Sequence, residues 1–201
     1  MLTDEDVSKL SDLSYWTRNG QSTCSNTYWT TDSGCINLYN NLKKYFKFVG
    51  IEDYGVESHN LKMSGTAMPS NNKMFILPDG SMIQAILYFS PTTKTTEVCN
   101  TIKSLGGNVC SYAGYFYIDI NGRKGPNTMG RDIFRFRLSD EGKLYPIYGK
   151  DYALYSSQSA LDRNSNYWRN DTRWCGTPNS SVIYGSGCAA RIIENVWKMD
   201  Y

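Results

Sequence analysis

The chain has 201 residues, of which 40% are hydrophobic and 20% are charged, a composition that suits one globular domain with its own core. Its net charge is only +2, and dispersed charge of this kind gives no basic patch for nucleic acid or for an anionic membrane. No apolar run reaches the roughly 18–20 residues of a membrane span. Because repeats and linkers are also lacking, we expect a single domain over residues 1–201.

The N-terminal segment predicts a short helix over about residues 4–16. Thr3 followed by Asp6 is a variant of the helix capping box. Apolar side chains then recur at helical spacing, at Val7, Leu10 and Leu13. The start of the chain has neither a basic region nor an apolar stretch of the kind found in export signals. For an exported protein, this predicts that a preceding segment has been removed.

The clearest helix carries an apolar stripe that consists of Leu38, Leu42, Tyr45, Phe46 and Val49. Lys43, Lys44 and Lys47 oppose the stripe, and Gly50 is placed to end the helix. Lysines in this position can attract an acidic partner, but they are typical of a solvated helix face.

From about residue 74 the pattern changes from helix to strand. The turn Pro78-Asp79-Gly80 between two β-rich runs predicts a hairpin. The predicted strands are Met74–Leu77, Met82–Phe89, Tyr115–Ile120 and Ile133–Leu138. In the last strand, aromatic and aliphatic residues alternate with Arg135 and Arg137, which predicts one buried face.

Three further segments are less periodic. Thr95–Leu105 suits a short helix near a cysteine-bearing loop. A polar turn is expected at Ser139–Lys143. Beyond Pro146 the chain has little periodicity until Ala189–Tyr201, an apolar segment whose backbone state the sequence leaves open.

Six cysteines indicate disulfide bonds and hence an oxidising, extracytoplasmic compartment. They are Cys24, Cys35, Cys99, Cys110, Cys175 and Cys188. A zinc cluster fits poorly, because no CxxC occurs and His59 is the only histidine. Six cysteines allow fifteen connectivities. Pairing of sequence neighbours is the first expectation, because short loops close with the least loss of entropy.

The residues that catalysis would need are poorly represented. His59 is the only candidate base for a nucleophilic hydrolase, and no GxSxG elbow accompanies it. Glycoside chemistry needs two carboxylates, but no pair among the acidic residues stands out. The glycines of Gly122–Gly130 match neither the P-loop nor the dinucleotide pattern. We therefore predict that the protein is not an enzyme.

One loop interleaves oxygen-bearing side chains with glycines, from Asp119 to Asp132. Calcium prefers six to eight oxygen ligands, and the loop offers Asp119, Asn121, Asn127 and Asp132. The EF-hand pattern is not met, and nearby basic residues reduce the negative charge. The alternative is an ordinary connection between two strands, in which Asn121-Gly122 forms a tight turn and Asp132 caps backbone amides. Calcium is thus a candidate cofactor.

The region after the strands is rich in aromatic residues, which stack on sugars and anchor interfaces but also fill cores. Its members are Tyr148, Tyr152, Tyr155, Tyr167, Trp168 and Trp174. They provide the basis for an alternative function, a secreted adhesin or carbohydrate-binding module.

Two motifs stand out in the second half of the chain. The first, DxNGxKGPNxxGxD, runs from Asp119 to Asp132 and precedes Ile-Phe-x-Phe. The second, CAARIIxxxWKMxY, runs from Cys188 to Tyr201. Together they resemble motifs of bacterial type IV pilin-like proteins and type II secretion pseudopilins. The resemblance covers about residues 115–201, and the hairpin at Leu77-Pro-Asp-Gly80 also resembles the family's sheet.

The resemblance implies an α+β fold in which an N-terminal helix packs on an antiparallel sheet with disulfide-stapled loops. Residues 1–16 would then be the remainder of a longer helix, whose apolar half anchors the subunit in the membrane before assembly. Cys175 and Cys188 would close the family's C-terminal loop. Because major pseudopilins bind calcium beside their last strands, the resemblance also draws attention to Asp119, Asn121 and Asp132.

The leading hypothesis is a structural subunit of a type IV pilus or type II secretion pseudopilus. Its expected partners are other pilin subunits and, through the missing helix, the inner-membrane assembly machinery. The expected location is a cell-surface filament or the periplasm.

Overall fold

An antiparallel β-sheet organises the described part of the computed structural model, which comprises residues 10–13, 16, 23–25, 27–54, 72–93, 99–100, 111–124, 129–146 and 187–194. Its seven strands are β1 (Thr23–Cys24), β2 (Gly50–Tyr54), β3 (Asn72–Ile76), β4 (Met82–Thr93), β5 (Ser111–Asp119), β6 (Ile133–Ser139) and β7 (Leu144–Pro146). The helices whose bounds lie in the described residues are α1 (Tyr28–Thr31), α2 (Ser33–Phe46) and α3 (Cys188–Glu194), and Cys99 and Asn100 are also helical. The predicted α+β class with a mostly antiparallel sheet is confirmed.

The strands follow the order β2-β3-β4-β5-β6-β7, and every pair is antiparallel. β4 has twelve residues, so one of its edges accommodates two strands. β3 pairs with the start of β4, where Phe75 faces Ile83, and β1 pairs with β4 further along, where Thr23 faces Tyr88. The other edge pairs with β5. The predicted strands lie in β3 to β6, whereas β1, β2 and β7 were not predicted.

The predicted hairpin is formed by β3 and β4. Gly80 adopts a φ of 86°, which is why a glycine occupies the turn. The carboxylate of Asp79 accepts hydrogen bonds from the hydroxyl of Ser81 at 2.7 Å and from its amide at 2.9 Å. These two hydrogen bonds lower the pKa of Asp79, because they stabilise the ionised carboxylate.

α2 ends earlier than the sequence predicted, and its start, which the sequence analysis left open, lies at Ser33. Asp32 caps its first turn by accepting a hydrogen bond from the amide of Cys35 at 3.0 Å. The helix ends at Phe46, where Lys47 adopts a left-handed φ of 53°. Gly50 was predicted to end the helix but instead begins β2. The end was misplaced because a lysine, and not a glycine, takes the left-handed position.

The apolar stripe of α2 faces the sheet, with one correction. Leu38 and Leu42 are fully buried, and Phe46 packs beside them at the edge of the core. Val49, which was assigned to the stripe, lies beyond the helix and is 60% exposed. The lysines Lys43, Lys44 and Lys47 are exposed, as predicted.

The main core lies between the sheet and α1–α2. Trp29 of α1 is 1% exposed in this core, and its ring meets that of Phe75 edge to face at 5.0 Å. The indole Nε1 of Trp29 donates a hydrogen bond to the carbonyl of Ala85 at 3.0 Å. The tryptophan therefore fills the core and satisfies its own polar atom on β4.

The helix predicted over residues 4–16 lies partly outside the described residues. In its described part the chain forms a 3-10 turn at Leu10–Asp12 with hydrogen bonds between residues three apart. The amide of Leu10 donates to the carbonyl of Asp140 at 2.7 Å, and Nε1 of Trp16 donates to the carbonyl of Tyr88 at 2.9 Å. These tertiary bonds, together with the weak helix propensity of serine and aspartate, favour the tighter turn here.

The last apolar segment is helical where it is described, because α3 covers Cys188–Glu194. Ala189 and Ile192 are buried against Phe134 of β6. Val196 and Trp197, which were assigned to the same segment, lie outside the described residues. None of the helices in the described part of the chain has the length and apolar character needed to cross a membrane.

Disulfide bonding is confirmed for one predicted pair. Cys24 of β1 is bonded to Cys35 of α2, and both are fully buried. Cys99 and Cys188 are also disulfide-bonded. Their predicted partners, Cys110 and Cys175, lie outside the described residues, so the pairings Cys99–Cys110 and Cys175–Cys188 stay predictions.

We predict that the double substitution Cys24→Ala and Cys35→Ala lowers the free energy of unfolding by about 2–3 kcal/mol, because the bond closes a short loop in the unfolded chain. Urea denaturation without reductant measures the change. Ser33→Ala, at an exposed position in the same segment, serves as the control and should leave stability nearly unchanged. Equal stability of the double variant and the wild type would contradict the prediction.

Candidate functional site

The loop between β5 and β6 brings together three of the four residues predicted to bind calcium. Asp119 is the last residue of β5 and faces Ile133, the first residue of β6, so the loop joins two residues that are paired in the sheet. Asp132 immediately precedes Ile133. Asn127, the fourth predicted ligand, lies outside the described residues.

Asp119 organises the first turn of this loop. It is fully buried, and its Oδ1 accepts hydrogen bonds from the amides of Asn121 at 3.2 Å and Gly122 at 2.9 Å. Gly122 has a φ of 58°, and a Cβ placed on it would lie 2.2 Å from the carbonyl oxygen of Gly80. The loop therefore touches the β3–β4 turn at a point where only glycine fits.

Asp132 connects the end of the loop to its beginning. It is 5% exposed, its Oδ2 accepts a hydrogen bond from Nδ2 of Asn121 at 3.2 Å, and its carbonyl accepts from the amide of Ile120 at 2.9 Å. The other side-chain atom of Asn121, Oδ1, is buried and has no hydrogen-bond partner. An acceptor in this state is suited to a cation or a water molecule.

The chemistry of this donor set fits calcium, because two carboxylates and an amide oxygen are hard ligands. N–H groups of the protein already donate hydrogen bonds to the carboxylates of Asp119 and Asp132, so part of the acceptor capacity of these carboxylates is used. The alternative of an ordinary connection between two strands requires such bonds. Within the described residues, no group of three or more histidine, cysteine or acidic side chains is arranged to hold a metal ion. Arg123 beside the loop pairs with Glu52 of β2. The calcium site therefore stays a prediction.

An apolar groove adjoins the loop on the helix-covered face of the sheet. Its volume is about 420 Å³, and it is lined by Ile118, Ile120, Phe134, Phe136, Ala189, Ile192 and Ile193. Ile120 is 55% exposed, which is a large fraction for an isoleucine beside a core. Sequence reasoning predicted the apolar face of β6 but not this groove, since nothing in the sequence indicates that α3 lies against β6.

Other candidates from the sequence fall outside the described residues. They include His59 and the aromatic set from Tyr148 to Trp174. The adhesin alternative was based on that set, so its original basis stays a prediction.

Comparisons with known proteins add nothing to these observations. No protein-family model, no curated protein and no solved structure matches the chain. The resemblance to pilin-like proteins therefore depends on the two sequence motifs alone and stays a prediction.

We predict that Gly122→Ala lowers the free energy of unfolding by at least about 2 kcal/mol, because a Cβ adds backbone strain and a clash with Gly80. Gly80→Ala is a matched control, since its φ is also positive but a Cβ there meets nothing within 4 Å. Gly80→Ala should lower the free energy of unfolding only by the cost of backbone strain, about 1 kcal/mol. Urea denaturation of both variants gives the difference, and equal losses would show that the close approach is unimportant.

If the loop binds calcium, we predict that the protein melts at a higher temperature in calcium than in chelator. A ligand that binds only the folded state stabilises that state, by about 2.7 kcal/mol when the free ligand concentration is 100 times Kd. Asn121→Ala should abolish this difference. Glu141→Gln, at an exposed acid on the β6–β7 turn, should preserve it. Identical melting curves of the wild type in calcium and in chelator would remove the calcium site.

Proposed function

We propose that the chain is the head domain of a filament subunit, either of a type IV pilus or of a type II secretion pseudopilus. In this function it acts by assembly and surface display and not by catalysis. Its partners are other pilin subunits and the inner-membrane assembly machinery. An antiparallel sheet with helices packed on one face is compatible with such a head.

The spatial relation of the two pilin-like motifs supports the proposal. The first motif forms the β5–β6 loop, and the second begins with α3, more than fifty residues later. Phe134 of β6 lies two residues after the first motif, and it packs against Cys188, Ala189 and Ile192 of the second. The strand that follows the first motif and the start of the second motif thus contribute to one small core, which gives a physical reason for their occurrence together.

The apolar groove between these elements is the observation that carries the proposal. Apolar surface that stays open on a folded domain commonly marks a site of association. Burial stabilises such a contact by about 25 cal/mol per Å² of apolar area. A filament subunit requires a surface of this kind, because subunits associate by packing. The groove lies beside the motifs that carry the resemblance.

An exported location follows from the same proposal. The bond between Cys24 and Cys35 is compatible with an oxidising compartment, where such bonds persist. The subunit would be anchored in the membrane before assembly and would then reach a surface filament or a periplasmic pseudopilus.

The encoding gene offers the first test. A pilin requires an in-frame apolar segment of about 20 residues with a prepilin cleavage motif immediately upstream of Leu2. An ordinary cleaved signal peptide at that place would contradict the filament function and favour the alternative, a secreted adhesin or carbohydrate-binding module.

We predict that Ile120→Asp in the full-length precursor reduces subunit incorporation into sheared filaments at least tenfold, because a charge enters the apolar groove. Val49→Asp is the matched control, since Val49 is 60% exposed but does not line the groove. Melting curves of both head domains should stay close to the wild type. Normal incorporation of the folded Ile120→Asp subunit would exclude the groove as an assembly surface.

A further inference from the structure

The β5–β6 loop contains a dipeptide with its own chemistry, Asn121-Gly122. In an Asn-Gly sequence the amide nitrogen of the glycine can attack Cγ of the asparagine, because glycine has no side chain to shield its amide. The new N–Cγ bond closes a succinimide ring, the Cγ–Nδ2 bond breaks, and ammonia leaves with the proton of the amide. Water then opens the ring at either carbonyl and yields aspartate or isoaspartate.

In the folded loop, a carboxylate holds the attacking nitrogen. The amide of Gly122 donates a hydrogen bond to Oδ1 of Asp119 at 2.9 Å, and both residues are buried. Succinimide formation removes the proton that makes this hydrogen bond. The bond must therefore break before the nitrogen can react, and leaving a buried charged acceptor without it is unfavourable.

The carboxamide that would be attacked is held from the far end of the loop. Nδ2 of Asn121, the leaving group, donates a hydrogen bond to Oδ2 of Asp132 at 3.2 Å. The backbone of Gly122 is also restricted, since a Cβ on it would lie 2.2 Å from the carbonyl oxygen of Gly80. Attack requires the reacting atoms to be aligned and close together. These contacts oppose the rotations by which Asn121 and Gly122 would reach that alignment.

The neighbouring β3–β4 turn provides a natural comparison. It also places a glycine after a short polar residue, in Asp79-Gly80, and both residues are exposed. The amide of Gly80 donates its hydrogen bond to the carbonyl oxygen of Leu77 at 2.9 Å. A neutral acceptor holds a donor less strongly than a carboxylate does. The two turns thus differ in the group that holds the glycine amide.

We propose that Asn121-Gly122 is a latent deamidation site, which the carboxylate of Asp119 protects in the folded loop. Local opening of the loop releases the amide of Gly122 and allows the reaction. The product adds a third carboxylate beside Asp119 and Asp132 and removes the donor that Asp132 accepts, so the loop cannot close as before. Deamidation thus makes an opening of the loop irreversible. The proposal concerns this chain alone and holds whether or not it assembles into filaments.

Peptide mass spectrometry of the purified chain, incubated at neutral pH in chelator so that calcium cannot contribute, tests the proposal. We expect Asn121 to deamidate at least about tenfold more slowly in the native chain than in urea, since a charge-assisted hydrogen bond must first break. Asn19, which precedes Gly20 in the other Asn-Gly of the sequence, gives the intrinsic rate in urea. Equal rates for Asn121 in the native and the unfolded chain would overturn the proposal.

The variant Asp119→Asn tests the protecting group. It keeps an acceptor oxygen but loses the charge, so we expect the native deamidation rate of Asn121 to rise about fivefold or more. Glu141→Gln makes the same change in net charge at an exposed acid and should leave the rate unchanged. Near-UV circular dichroism shows whether each variant is folded. An unchanged rate in folded Asp119→Asn would contradict the protection by this carboxylate.

If Asp119→Asn does not fold, Asp79→Asn decides the question. This variant places an Asn-Gly in the exposed β3–β4 turn, where the glycine amide donates to the carbonyl of Leu77. We expect the introduced asparagine to deamidate about tenfold or more faster than Asn121 in the same native molecules. Equal rates at the two positions would refute the proposal, because the carboxylate would then make no difference.

Discussion

β4 is hydrogen-bonded along both edges and packed on both faces, and the other elements are arranged around it. One edge holds β3 and β1, and the other holds β5. Its residues Ile83, Ala85 and Leu87 face the main core, while Met82 contributes to a small cluster on the opposite side. The N-terminal segment is also tied to it, through the indole of Trp16. A strand used in this way fixes the relative positions of the helices and loops in the described part of the chain.

Much of this arrangement could be predicted from the sequence, because the relevant signals are local. The hairpin around Asp79 and Gly80 follows from turn chemistry, and the strands that it joins follow from their composition. α2 was recognised from its stripe, although its end was misplaced because Lys47 adopts a conformation usually left to glycine. β1 and β7 have only two and three residues, too few for any periodicity to be visible.

The candidate site was predicted only in its polar part. Asp119, Asn121 and Asp132 lie within fourteen residues of one another, so a loop that closes on itself brings them together. The apolar groove joins Ile118 and Ile120 to Ile192 and Ile193, and no local pattern relates segments so far apart. The contacts of Arg135 and Arg137 with tyrosine rings of β5 were hidden for a related reason. The rings and the cations belong to different strands, and only the register of the strands places each arginine between two tyrosines.

The contact between Gly80 and Gly122 has a practical consequence for protein engineering. Because the backbone of Gly122 leaves no space for a Cβ beside the carbonyl of Gly80, a bulkier residue or an insertion at either glycine would displace the neighbouring turn. An epitope tag or labelling site is better inserted in the β6–β7 turn, where Glu141, Gly142 and Lys143 are exposed. Asp140 should be left intact, since its carbonyl holds the amide of Leu10.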